Sequence, residues 1–99
     1  MKKYFVLKLN PPRATFSQDM TPEERIIMHQ HISYWRGLMA QDYVLALGPV
    51  MDPAGVYGLA IVAVEEEEQV KEFIKFDPAN GLNHYEYYQM MAVVPENKK

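Results

Sequence analysis

Two apolar runs separated by a short turn constrain the fold of this chain more than any other feature. Residues 43–51 (YVLALGPVM) and 56–64 (VYGLAIVAV) enclose the tetrapeptide DPAG, and Pro and Gly are typical of a tight turn. The two runs therefore predict an antiparallel β-hairpin. In residues 56–64 both alternating sets of side chains are apolar, whereas a half-exposed antiparallel strand has one polar side. We therefore expect both faces of this sheet to be covered.

One strand and one helix are predicted before the hairpin. Residues 2–10 (KKYFVLKLN) are rich in aromatic and β-branched side chains and are followed by two prolines, which suits a first strand. A loop is expected over residues 10–20. Residues 21–24 (TPEE) then supply an N-cap threonine, a proline at the first helical position and the glutamate of a capping box. The helix is expected to run to about Gln41.

A second helix and a last strand are predicted after the hairpin. Residues 65–76 (EEEEQVKEFIKF) open with four carboxylates, which the positive end of a helix dipole favours, and carry apolar residues at helical spacing. Residues 84–94 (HYEYYQMMAVV) are expected to form the last strand. The order βαββαβ predicts an α+β, ferredoxin-like fold, with a four-stranded antiparallel sheet and two helices on one face. We expect a single domain over residues 1–95 and a frayed tail over 96–99.

Two helices on one face leave the second apolar face of the sheet to be covered by something else. A second copy of the same sheet is the expected cover, because two-fold homodimers are the commonest soluble oligomers. A monomer that uses this face as a binding surface stays open as the alternative.

Composition excludes several classes of function. The chain has 13 acidic and 10 basic residues and a net charge of -3, so it lacks the positive surplus that binds a nucleic-acid backbone. It has no cysteine, which excludes disulfides and thiolate chemistry. Its longest apolar run is far shorter than the roughly 20 residues that cross a membrane, and no signal peptide is indicated. We expect a cytoplasmic protein with neither membrane nor nucleic-acid partners, and we predict no metal or cofactor.

The segment HQHISYW (residues 29–35) places two histidines on the first long helix. His31 falls in the apolar stripe of that helix, whereas His29 points to roughly the opposite side. Histidine pairs that chelate a metal on a helix stand four residues apart, so this pair does not indicate a metal site. Two interpretations of His31 stay open, a hydrogen-bonded core histidine or an acid–base group. Tyr34 and Trp35 beside it suit either a core or the wall of a pocket.

Asp77 is the candidate partner of His31. In this fold the end of the second helix reaches the body of the first, so the Asp77 carboxylate can orient one imidazole nitrogen and leave the other for general acid or base catalysis. The alternative is that Asp77, which precedes Pro78, caps a short turn. Arg13, in the proline-stiffened segment NPPRATF, is the candidate contact for an anionic ligand.

These residues resemble the YciI-like (YCII-related) family of small dimeric α+β barrel proteins over nearly the whole chain. The shared motifs are His31-x-x-Tyr34 with Trp35, Gly48-Pro49, Asp52-x-x-Gly55 and Asp77-Pro78. The resemblance implies a ferredoxin-like subunit, a dimer whose sheets pack together, and an active-site pair formed by His31 and Asp77. The family usually has glycine after the first helix where this chain has Asp42, which tolerates the left-handed conformation better than most residues.

The leading hypothesis is a homodimeric small-molecule enzyme of the isomerase or lyase type. His31, oriented by Asp77, transfers a proton on a small lactone- or acid-like organic molecule without a metal. We assign Arg13, Tyr34, Trp35 and Pro49 to substrate binding. The alternative hypothesis is a non-catalytic ligand-binding or structural homodimer in which His31 and Asp77 form a buried hydrogen-bonded strut.

Overall fold

A computed structural model describes residues 1–95 and confirms the predicted α+β, ferredoxin-like architecture. The four strands form one antiparallel sheet in the order β2-β3-β1-β4. In chain order the elements of this part are β1 Lys3–Asn10, α1 Phe16–Asp19, α2 Pro22–Ala40, β2 Val44–Val50, β3 Tyr57–Val64, α3 Glu67–Phe76 and β4 His84–Met90. The predicted frayed tail, 96–99, lies outside the described residues.

The core lies between one face of the sheet and the two long helices. Phe5 and Leu7 point from β1 to this face, and their partners on β3 point the same way because side chains alternate along paired strands. Trp35 from α2 and Val70 from α3 are fully buried against them. The sheet thus has α2 and α3 on one face, as the pattern predicted.

The opposite face of the sheet is also apolar. The register aligns Val6 with Ile61 on one side and with Tyr88 on the other, and the Tyr88 side chain is 60% exposed. Lys8 and Glu86 form a cross-strand pair of opposite charge near one end of this face. The expectation of two apolar faces is therefore met.

Local signals determine where α2 begins and ends. Thr21 accepts a hydrogen bond from the Glu24 amide, and the Glu24 carboxylate accepts one from the Thr21 amide, so the predicted capping box is formed. At the other end the amides of Asp42 and Tyr43 donate to Met39 and Leu38, the pattern of a Schellman motif. Asp42 has a φ of 69°, so it adopts the left-handed conformation that glycine usually supplies.

Two local predictions need correction. Residues 16–19 form a short helix inside the expected loop, anchored by Phe16, which is buried. The last strand ends at Met90 rather than at Val94, because Met90 pairs with Tyr4 and β1 extends only to Lys3 beyond it. Among residues 1–95 no helix is both long and apolar enough to cross a bilayer. A cytoplasmic location stays a prediction.

Candidate functional site

The carboxylate of Asp77 joins α3, α2 and β4. Asp77 follows the last residue of α3, and its Oδ1 accepts a hydrogen bond from the Ala79 amide at 2.8 Å, which closes a turn. Its Oδ2 accepts from His31 Nδ1 at 2.8 Å, from Trp35 Nε1 at 2.9 Å and from the Tyr85 hydroxyl. Both interpretations of Asp77 are therefore met at once, because one oxygen supports the turn and the other holds His31.

The Asp77 carboxylate is ionised at neutral pH although its side chain is 0% exposed. Burial by itself raises the pKa of Asp77. The hydrogen bonds from His31, Tyr85, the Ala79 amide and Trp35 together lower it by a larger amount, so the net pKa is below the usual value. Burial and this negative charge raise the pKa of Tyr34 to about 12. They also raise the pKa of Tyr85, so both phenols keep their protons.

The hydrogen bond to Asp77 determines which nitrogen of His31 carries the proton in the neutral ring. An ionised carboxylate only accepts hydrogen bonds, so Nδ1 is the donor and Nε2 is left as an acceptor. Within residues 1–95 Nε2 has no hydrogen-bond partner in the protein. Every side-chain nitrogen or oxygen that is fully buried in this part of the chain does have a partner. Nε2 is therefore reached by solvent, although the His31 side chain is only 10% exposed.

Packing around Trp35 keeps this network in place. His31 and Trp35 lie one turn apart on α2 and so point to the same side of the helix. The Trp35 ring makes edge-to-face contacts with Tyr34, at a centroid distance of 5.7 Å, and with Phe73, at 6.1 Å. Tyr34 in turn donates from its hydroxyl to the Phe73 carbonyl at 2.7 Å. These contacts hold α2 against α3 and place His31 beside Asp77.

A cavity of about 280 Å³ lies between α2, the short helix α1 and the sheet, and His31 lines it. Its wall is mostly apolar, with Leu7, Phe16, Met28 and Leu47 among the lining residues. The volume is close to the lower end of known small-molecule sites, which combine apolar walls with a few polar groups. The free Nε2 of His31 is such a group.

The structure brings some of the predicted substrate-binding residues to this cavity and keeps others away. Trp35 and Pro49 line it together with His31, whereas Tyr34 and Arg13 do not. Tyr34 is instead directed to α3 by its bond to the Phe73 carbonyl. The Tyr34 side chain thus joins α2 to α3 and is not part of the cavity wall.

Arg13 holds in place residues 13–20, the segment that covers the cavity. Its guanidinium donates to Asp19 at 2.9 Å and to both oxygens of Glu24, at 2.9 and 3.1 Å. Together with a bond to the Asp19 backbone carbonyl, these contacts use four of the five N–H donors of the guanidinium. Phe16 and Met20 of the same segment line the cavity, so Arg13 fixes the position of the cover.

Two residues of the site were not predicted from the sequence. Tyr85 completes the set of donors to Asp77, and Asn83 is buried in the cavity wall. The sequence places both near the start of the last strand, but it does not show which face Tyr85 occupies. The register supplies that information, because Tyr85 is opposite Leu9 and shares its buried face.

His29 on α2 and His84 on β4 are both exposed. The expectation that His29 points away from His31 needs correction, because His29 lines the same cavity. Within residues 1–95 no three His, Asp or Glu side chains lie close enough together to hold a metal ion.

Replacing Asp77 with Asn is expected to lower the free energy of unfolding at neutral pH by about 3 kcal/mol, since it removes a buried charge that accepts several hydrogen bonds. The pKa of Asp77 is lower in the folded chain than in the unfolded chain, so its ionised form stabilises the fold above about pH 4 and this contribution is lost as pH falls below it. Urea unfolding between pH 2.5 and pH 8 measures the effect.

Asp52 supplies a matched control for this variant. It also precedes a proline and an alanine, and its Oδ1 also accepts a hydrogen bond from the amide two residues on, at 2.9 Å. Asp52→Asn therefore alters the same kind of turn without a buried partner, and a change below about 1 kcal/mol is expected. Equal losses in both variants would contradict the assigned role of Asp77.

Comparison with protein-family models identifies the family to which the chain belongs. The model of the YCII-related domain matches residues 4–94, and no curated protein matches the chain significantly. The match spans most of the chain and confirms the resemblance carried by the His31, Gly48-Pro49 and Asp77-Pro78 motifs. The chain belongs to the YCII-related domain family.

Proposed function

We propose that this protein is a small-molecule enzyme in which His31 acts as a general acid and base. The observation that carries the proposal is the state of the His31 ring. Its Nδ1 is bonded to a buried carboxylate, while its Nε2 has no partner in residues 1–95 and belongs to the wall of a cavity. This is the arrangement that orients a catalytic histidine for proton transfer.

The proposed chemistry needs only the groups in the cavity. The neutral His31 ring accepts a proton from a C–H group of the ligand at Nε2, and the Asp77 carboxylate stabilises the imidazolium that results. The same nitrogen then returns the proton to a different carbon. The net result is isomerisation. In the lyase alternative, the electron pair left by the C–H proton instead expels a group from the neighbouring carbon, and His31 returns the proton to that leaving group, so the ligand gains a double bond.

The proposed ligand is small, mostly apolar and uncharged. The cavity wall is largely hydrocarbon, and the guanidinium of Arg13 is bonded to Asp19 and Glu24. Burial of an unpaired carboxylate is costly, so a lactone-like molecule fits this cavity better than an organic acid.

A non-catalytic role is supported by a different observation. Asp77 accepts four hydrogen bonds from three parts of the chain, which is also what a structural strut between α2, α3 and β4 requires. In that case His31 holds the helices together and the cavity only binds a ligand. Measurements of stability and proton transfer separate the two roles.

His31→Asn is the sharpest test of proton transfer, because the Asn amide can replace the Nδ1–H donor while removing Nε2. The probes are β,γ-unsaturated γ-lactones in D₂O, with exchange of the C–H beside the carbonyl followed by proton NMR. The wild type is expected to accelerate exchange, and His31→Asn to reduce the catalysed rate at least about 100-fold.

The control is His84→Gln, which replaces an exposed histidine on β4 and is expected to leave the rate unchanged. An unchanged rate in His31→Asn would exclude the proposed mechanism. If no lactone exchanges and His31→Ala and Asp77→Asn each lower the free energy of unfolding by several kcal/mol, only the structural role is left.

We also propose that the protein is a homodimer joined through the outer faces of the two sheets. The apolar outer face supports this, because Ile61, Val6 and Tyr88 are aligned across β3, β1 and β4. The helices α2 and α3 pack on the other face of the sheet. An exposed apolar face of this kind is typical of an interface. The two-fold symmetry of most homodimers would pack each sheet against an identical one.

Tyr88→Glu tests the dimer, and Phe76→Glu is its matched control. The two aromatic side chains are equally exposed, at 60% and 63%, but Phe76 ends α3 and is away from the sheet. In sedimentation velocity the wild type is expected as a dimer, and Tyr88→Glu is expected to weaken dimerisation at least about tenfold, because a charge is buried without a partner. A monomeric wild type, or equal dissociation of both variants, would contradict the proposal.

A further inference from the structure

Asn83 is a buried polar residue in the cavity wall for which the proposed chemistry has no role. It is 5% exposed and, with His31 and Asp77, it makes up the buried polar residues of the described chain. It lies at the end of the loop that Asp77 begins, and its backbone amide donates to the Ala79 carbonyl at 3.0 Å. Its side chain lines the cavity.

The orientation of the Asn83 amide follows from its one side-chain contact in residues 1–95. Nδ2 lies 3.3 Å from the sulfur of Met28, and a thioether is only an acceptor. The N–H side of the amide therefore faces Met28 and Oδ1 faces away from it. No donor in the described chain binds Oδ1, and every fully buried side-chain nitrogen or oxygen there has a partner, so Oδ1 has surface that a ligand can reach. Because Asn83 is part of the cavity wall, the cavity is the side from which we expect a ligand to reach it.

The position of Met28 places Asn83 close to His31. Met28 precedes His31 by three residues on α2, so the two share a side of the helix and are separated by about 4.5 Å along its axis. Asn83 and His31 also line the same cavity. A ligand in the cavity can meet both groups.

The atoms of His31 and Asn83 that have no hydrogen-bond partner in residues 1–95 are both acceptors. His31 Nε2 is an acceptor because Asp77 holds the proton on Nδ1, and Asn83 Oδ1 is an acceptor because the thioether holds the N–H side. A buried acceptor without a donor destabilises a complex, and a ligand hydroxyl or N–H group removes that cost. A ligand carboxylate would instead be repelled by both atoms.

We infer that Asn83 is a ligand-recognition residue, and that the cavity selects uncharged, largely apolar molecules carrying a hydroxyl or N–H donor next to the group that faces His31. This inference rests on the proposed function for the role of His31 and extends it by naming the substrate class. The ligand hydroxyl donates to Asn83 Oδ1 while the reacting C–H faces Nε2. Asn83 thereby orients the ligand for the proton transfer.

The probes are the three benzenediols and the three methylphenols. Each methylphenol matches one benzenediol, with a methyl group in place of one hydroxyl, so the two molecules of a pair differ by one hydrogen-bond donor. Binding is followed by NMR titration of the Met28 and Ile32 methyl signals, since both residues line the cavity. In the wild type at least one diol is expected to bind about fivefold more tightly than its methylphenol, the value of one net hydrogen bond.

Asn83→Leu keeps a side chain of similar size without the acceptor and is expected to abolish the preference for the diol. Asn80→Leu changes an exposed asparagine of the same loop and is expected to keep it. If circular dichroism shows that Asn83→Leu is unfolded, Asn83→Ala replaces it. The inference is overturned if the wild type prefers no diol, if the variant at 83 keeps the preference, or if benzoate binds more tightly than the diols.

Failure of this inference and failure of the proposed function give different results. A diol preference that depends on Asn83, together with no lactone exchange by the wild type, supports ligand recognition and rejects catalysis. Lactone exchange that depends on His31, together with a diol preference that ignores Asn83, supports catalysis and rejects this role of Asn83.

Discussion

The hydrogen bonds to the buried carboxylate of Asp77 are the interaction on which the rest of the site depends. Its charge is stable inside the protein only because His31, Trp35, Tyr85 and the Ala79 amide all donate to it. Those donors come from α2, β4 and the loop after α3. The bonds therefore align these elements and also determine the tautomer of the catalytic candidate.

An apolar cavity strengthens the effect of this alignment. Around the free nitrogen of His31 the wall is mostly hydrocarbon, so a ligand that fills the cavity displaces water and strengthens the polar interactions there. Residues 13–20, which cover the cavity, are held by Arg13 through Asp19 and Glu24, so in the structure the Arg13 guanidinium is engaged within the chain. The buried polar residues of the cavity wall are His31 and Asn83, and the open atom of each is an acceptor.

Most of the fold was predictable because its signals are local. The capping box at Thr21, the DPAG turn and the strand periodicities each depend on neighbouring residues, and together they lead to the βαββαβ order. The approach of His31 to Asp77 was predictable from the topology. The left-handed conformation of Asp42 was expected from the resemblance, because the family usually has glycine at this place after the first helix.

The remaining features depend on contacts between residues far apart in the chain. Tyr85 reaches Asp77 only because the register places it opposite Leu9 on the buried face, and the free oxygen of Asn83 depends on the position of Met28. Arg13 was assigned to a ligand because its two carboxylate partners form a cluster only when residues 13–24 fold back over the cavity. Similarly, β4 ends beside the first residues of its antiparallel partner β1, although apolar residues continue beyond Met90.

The central claim is that Asp77 keeps the proton of neutral His31 on Nδ1 and leaves Nε2 as the acceptor in the cavity. Nitrogen-15 NMR of the neutral His31 ring measures this directly, because the protonated and unprotonated ring nitrogens have well-separated chemical shifts. The account predicts the Nδ1–H form in the wild type and a shift toward the Nε2–H form in Asp77→Asn. A wild-type ring protonated on Nε2, or a tautomer that does not respond to Asp77→Asn, would contradict it.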